Sequence, residues 1–104
     1  MSRIYISGGI TGVPDCCQNF KRVADILMSA GYAVVNPERL GREMPSDMTY
    51  EDFMTFSFAL IDLCDSICML DGWEESKGAN REYGYAVGKG MAVIKESDIN
   101  KNED

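Results

Sequence analysis

The 104-residue chain has no histidine, which excludes Ser-His-Asp and Cys-His catalysis, imidazole metal sites and an acid or base poised near neutrality. Any acid–base work falls to carboxylates. Basic residues are scarce: 10 Lys and Arg stand against 17 Asp and Glu, for a net charge of -7. At that charge a nucleic-acid duplex or an anionic membrane would be repelled at long range, whereas a small anion can still be held by local amides. No apolar run approaches 18 residues, and the N-terminal stretch lacks the pattern of a secretory leader, so a cytoplasmic protein with no membrane partner is expected. The four cysteines, Cys16, Cys17, Cys64 and Cys68, form an adjacent pair and an i,i+4 pair. Neither has zinc-ribbon spacing, so they are read as structural thiols, and no metal and no cofactor is expected.

What is present is an alternation of strand and helix patterns. Arg3-Ile4-Tyr5-Ile6-Ser7 is a short β-branched and aromatic run that breaks into Gly8-Gly9-Ile10-Thr11-Gly12, as a strand feeding a ligand loop would. Alone the glycines are weak, because they match neither the dinucleotide fingerprint nor the Walker loop, and a plain turn is their commoner cause. Phe20, Val23, Ala24, Leu27 and Met28 recur at helical spacing before Gly31, a C-cap. A second strand over 32–35 is stopped by Asn36-Pro37, whose Asn side chain can face the same end of the sheet. Residues 38–48 read as loop. Thr49, with Asp52 three residues on, opens a helix reaching about residue 63. Its inner stripe is read as Phe53, Phe56, Leu60 and Cys64, with Ser57 on the same face. That serine can merely bond back to a carbonyl one turn earlier.

A third strand over 66–70 leads into the stretch on which the rest depends, a loop holding Gly72, Ser76 and Gly78 and then a helix carrying Glu82 in its second turn. Ser76 can cap that helix, and the amides behind it offer an anion site. Ala79 and Ala86 flank Glu82 on its face, leaving room for another element to approach closely, and no cation stands four residues away to make Glu82 an ordinary surface acid. A fourth strand is expected over 91–95, and a polar, frayed tail over 96–104. The β-α-β-α-β-α-β order implies one α/β domain over 1–95 with a four- to five-stranded parallel sheet, right-handed crossovers and ligands at the carboxyl ends of the strands.

The constellation of Tyr5-Ile6-Ser7-Gly8-Gly9-Ile10-Thr11, Asn36-Pro37, and Gly-Trp-Glu-Glu-Ser-Lys-Gly-Ala with Glu82 six residues after Ser76 resembles the nucleoside 2-deoxyribosyltransferase-like superfamily. Within it the likeness is closest to the small DUF4406 branch, over residues 3–95. The resemblance implies a flavodoxin-like or Rossmann-like three-layer sandwich. It further implies Glu82 as nucleophile with Tyr5 beside it, a first loop (Ser7, Gly8, Gly9, Ile10) that helps hold the sugar, and Ser76 and Gly78 at the phosphate of a deoxynucleoside 5'-monophosphate. Asn36 and Trp73 are further candidates for substrate contact, Trp73 either stacking on a base or packing at a subunit contact.

Two departures from the branch matter. Gly9 stands where proline is usual, which loosens the loop without removing its amides. Ser57 occupies the position of an active-site aspartate. Asp62, five residues further on, lies about 140° around the helix, so Asp71 is the nearest carboxylate left to assist Glu82. The expected activity is therefore an N-glycosidase or deoxyribosyltransferase acting at C1' of a nucleotide. The alternative is a catalytically impaired module that binds or sequesters a nucleotide in the same pocket, for example an ADP-ribose-like signal. A homodimer or larger assembly is expected, because a small sheet under few helices leaves apolar surface, with Tyr50, Phe53, Phe56 and Phe58 in excess of one face.

Overall fold

The computed structural model describes residues 2–100. Strands β1 (Arg3–Ser7), β2 (Ala33–Val35), β3 (Ser66–Met69) and β4 (Ala92–Lys95) form one sheet in the order β2-β1-β3-β4, parallel throughout. The helices are α1 (Cys16–Ser29), α2 (Pro37–Gly41), α3 (Tyr50–Asp62), α4 (Lys77–Gly88) and α5 (Glu96–Asn100), with a 3-10 turn over Trp73–Glu75. This is the expected α/β architecture, with four strands.

The period-two alternation of β1 divides the core into two layers. Ile4 and Ile6 point to one face and pack with Phe20, Val23 and Leu27 of α1, Leu70 and Ile99 of α5. Tyr5 points to the other and packs with Ile61 of α3, Ile67 and Met69 of β3, and Ala79 and Ala86 of α4. Ile4, Tyr5 and Ile6 are fully buried, and each large apolar side chain so placed contributes about 1.5–3 kcal/mol of transfer free energy. β1 is thus covered on both faces and lies between β2 and β3, the most enclosed strand of the sheet. Ser7, two residues after Tyr5, emerges on the Tyr5 face at its carboxyl end.

Three expectations are corrected. The 38–48 stretch is not all loop: Asn36 accepts hydrogen bonds from the amides of Glu38 (3.1 Å) and Arg39 (3.3 Å), and Pro37 at the first helical position starts α2. On α3, opened by the expected Thr49–Asp52 capping box, the buried residues are Met54, Ser57 and Ile61, whereas Phe53 is exposed. The inner arc is shifted one residue, about 100°, because apolar side chains occupy every side of this helix and periodicity cannot choose among them. The tail does not fray from residue 96: Glu96–Asn100 is helical, Ile99 joins the core, and Glu96 is buried. The domain therefore extends past residue 95, while 101–104 lie outside the described residues. Among the described residues no helix is long and apolar enough to cross a membrane.

Candidate functional site

A cavity of about 770 Å³ opens at the carboxyl ends of the strands, walled by the loop after β1, by α2, by α3 and by the first turns of α4. Gly8 makes the first wall possible: a Cβ there would stand 2.8–2.9 Å from the Leu70 side chain, so only glycine lets the loop leave the sheet beside β3. Gly72 turns the chain back toward the cavity with φ 83°, a left-handed conformation natural to glycine. The 3-10 turn then delivers Ser76 to the head of α4, where its hydroxyl accepts from the Ala79 amide at 3.1 Å. The amides of Lys77 and Gly78, first-turn groups without an intrahelical acceptor, belong to the same cavity wall.

Glu82 stands on α4 between Ala79 and Ala86, both buried, and these small residues bring the helix close against the sheet. Its carboxylate is held oxygen by oxygen: Ser7 Oγ donates to Oε1 at 2.7 Å and Tyr5 Oη donates to Oε2 at 2.8 Å. Both donors come from alternate positions of β1 and are themselves completely buried. Burial raises the Glu82 pKa, and hydrogen bonds from Ser7, Tyr5 and Ser57 act against that rise. Burial, reinforced by the Glu82 charge, raises the Tyr5 pKa well above 10.0, which keeps the phenol a donor. The result is an acceptor-only group fixed in orientation at the edge of a cavity, the arrangement of a preorganised nucleophile or cation-stabilising carboxylate.

The structure brings Ser7, Tyr5, Ser57 and Glu82 together, and Gly8, Gly9, Ile10, Ser57, Ser76, Gly78 and Glu82 line the cavity. Three candidates are placed elsewhere. Asp71 is exposed and is not a lining residue, because its backbone amide is drawn to Glu96 Oε1 (2.9 Å) on the opposite face of the sheet. Asn36 spends its carboxamide oxygen on capping α2 and borders a separate depression beside β2. Trp73 stacks on Tyr83 of its own chain, ring centroids 4.7 Å apart, and also lies outside the cavity lining.

Residues not read from sequence as site residues also form the walls: Glu38 of α2 and Arg42 just after it, Tyr50, Phe53 and Met54 from α3, and Lys77. For Glu38 the signal was present, since Asn-Pro-Glu reads as cap, first helical position and first-turn acid. Neither Cys64 nor Cys68 lines the cavity, although Cys64 packs against the layer that holds Tyr5, and burial pushes their thiols up to about 11 and about 12. Among the described residues no group of three or more Cys, Asp or Glu is placed to hold a metal ion.

No protein of curated function matches the chain in sequence. Among solved structures, a 2-deoxyribosyltransferase from the psychrotolerant bacterium Bacillus psychrosaccharolyticus superposes with a TM-score of 0.69 at 18% identity, over 90% of this chain and 71% of that one. At that identity the likeness concerns the fold, which is that of the 2-deoxyribosyltransferase. The family model described as "Domain of unknown function (DUF4406)" matches residues 2–95. A match over nearly the whole length, on a chain folded in this way, makes the protein a member of the DUF4406 family.

Proposed function

We propose that the protein acts on the N-glycosidic bond of a (deoxy)nucleoside 5'-monophosphate, as an N-glycosidase or deoxyribosyltransferase, with Glu82 as nucleophile. The observation that carries this reading is the pair of hydroxyls, Ser7 on Oε1 and Tyr5 on Oε2, that aims a buried carboxylate at a cavity large enough for a nucleotide. A lone pair of Glu82 attacks C1', the C1'–N bond breaks with its electrons leaving on the base, and a glycosyl ester forms. Water or a second base then releases the sugar and regenerates the carboxylate. The 5'-phosphate is assigned to the head of α4, where Ser76, the Lys77 and Gly78 amides and the helix dipole favour an anion. Lys77 and Arg42 supply positive charge in a chain otherwise strongly acidic. Membership of the fold supports the reading without specifying the substrate.

The second reading, a nucleotide-binding protein without turnover, is favoured by one observation: among the described residues the groups acting on Glu82 are the hydroxyls of Ser7, Tyr5 and Ser57, the last standing where an aspartate was expected. Incubating the protein with each deoxynucleoside monophosphate and assaying free base separates the two. In the enzyme reading, Glu82→Ala lowers base release by ~10³-fold or more while calorimetric affinity is largely kept, since the lost interaction belongs to the transition state. Tight binding with no base release from the wild-type protein would establish the second reading. Full turnover by Glu82→Ala would remove Glu82 from the mechanism.

A further inference from the structure

Glu38 is the one acid of the cavity wall whose charge the mechanism leaves unused while burying it. Only 8% of the residue is exposed, and Oε1 is buried with no hydrogen-bond partner. Its other oxygen, Oε2, meets Arg42 Nε at 3.4 Å across one turn of α2, a single long contact to a side chain that is itself 58% exposed. A buried carboxylate oxygen without a donor is costly, and more so for a charged group than for a neutral one. Nothing in the packing requires a carboxylate at this position, since α2 is already capped by Asn36 and started by Pro37.

Sheet order fixes where this acceptor lies relative to the rest of the site. Glu38 follows β2 and Ser76 follows β3, and these strands flank β1, which carries the hydroxyls that hold Glu82. With neighbouring strands about 4.8 Å apart, the ends of β2 and β3 are separated by roughly 10 Å, and β1, with the hydroxyls that hold Glu82, lies between them. A ligand whose phosphate lies at the head of α4 and whose C1' lies over Glu82 therefore extends its third part, the base, toward α2. We infer that Glu38 is the base-recognition residue of this cavity, and that its carboxylate, turning the unpartnered oxygen toward the cavity it lines, accepts an N–H of an exocyclic amino group, making amino-bearing nucleobases the substrate class. This rests on the nucleotide reading above. Carboxylates are acceptors only, so a base presenting a carbonyl at the same place sets two acceptors against each other in a buried site, whereas an amino group supplies the missing donor.

Deoxycytidine and deoxyuridine 5'-monophosphates differ at this edge by an amino group against a carbonyl, and at the adjoining N3 by a bare acceptor against an N–H, so they make the test, with preference for uracil meaning that Glu38 takes the ring N–H instead of an amino group. The wild-type protein is expected to bind the cytosine nucleotide ~10-fold or more tightly over the uracil one, measured by calorimetry and, where base is released, by the ratio of kcat/KM values. Glu38→Gln, whose amide can donate, is expected to erase or reverse that preference. The wild-type ratio is read without any variant, so a poorly folded Glu38→Gln does not remove the test. Equal binding of the two nucleotides by the wild-type protein, or an unchanged preference in a folded Glu38→Gln, overturns the assignment of Glu38 and leaves the nucleotide reading standing. Failure of the wild-type protein to bind or cleave either nucleotide overturns that reading, and the inference with it.

Discussion

Taking Glu82 out of water raises its pKa from the ordinary 4.5, and the hydroxyls of Ser7, Tyr5 and Ser57 oppose that rise without cancelling it. The folded chain therefore holds this proton to higher pH than the unfolded chain does. Between 4.5 and the raised value the native state binds more protons, so this residue's contribution to stability is greatest below 4.5 and is lost as pH rises through that interval. Glu82→Gln, nearly the same shape and uncharged, is expected to melt at a higher temperature than the wild-type protein near pH 7, with the gap closing toward pH 4. Parallel melting curves across that range would show that the carboxylate is not under strain. A glutamate retained at such a cost fits a site that trades stability for function. Ser57 also changes meaning at this scale. Viewed from the sequence it marks a missing carboxylate, yet in the folded chain its hydroxyl works in the same direction as those of Tyr5 and Ser7, toward the charged form of Glu82. A carboxylate at position 57 would work in the opposite direction, by like-charge repulsion.

Among the elements, α5 has the widest reach for its five residues. Glu96, at its start, meets Arg22 of α1 at 2.5 Å and accepts the Asp71 amide at 2.9 Å, so one buried acid ties the loop after β3 to the opposite face of the sheet. Glu96→Ala is expected to cost about 1–3 kcal/mol in chemical denaturation, the range for leaving buried partners unbonded. A change below a few tenths would mean that the tether is idle. Nothing in Glu-Ser-Asp-Ile-Asn announces this helix, because a single apolar residue, Ile99, sets no period. Apart from α2, which was read as loop, the other strands and helices were legible because β-branched runs and helical spacing alternate cleanly, and Thr49 and Ser76 do cap their helices. The inner face of α3 was not, because its aromatics surround it and the choice of Met54, Ser57 and Ile61 is made by the neighbours, not by the helix. The same limit governed the site: Glu82 stood out through its small flanking residues, whereas Asp71 and Trp73 were diverted by partners, Glu96 and Tyr83, that no spacing reveals.

At the scale of the whole molecule, one four-stranded sheet is shared by two core layers, and apolar side chains are left uncovered at the cavity mouth. Ile10, Val13, Tyr50 and Phe53 are all exposed there. A second copy covering this mouth would bury them and narrow solvent access to Glu82, and light scattering is expected to return a mass above 11.6 kDa at micromolar concentration. A mass of one chain over a wide concentration range would end that expectation. The enclosed strand β1 has a consequence of its own. Because Tyr5 stands opposite both Val35 of β2 and Ile67 of β3, and Ser7 opposite Met69 of β3, the hydroxyls that aim Glu82 are set by the sheet register and not by a loop. The aim is expected to be lost with the opening of β1 or of α4, which carries Glu82, and not with fluctuations of the surrounding loops. The strand that points the carboxylate is therefore expected to be among the last parts of the molecule to exchange its amides.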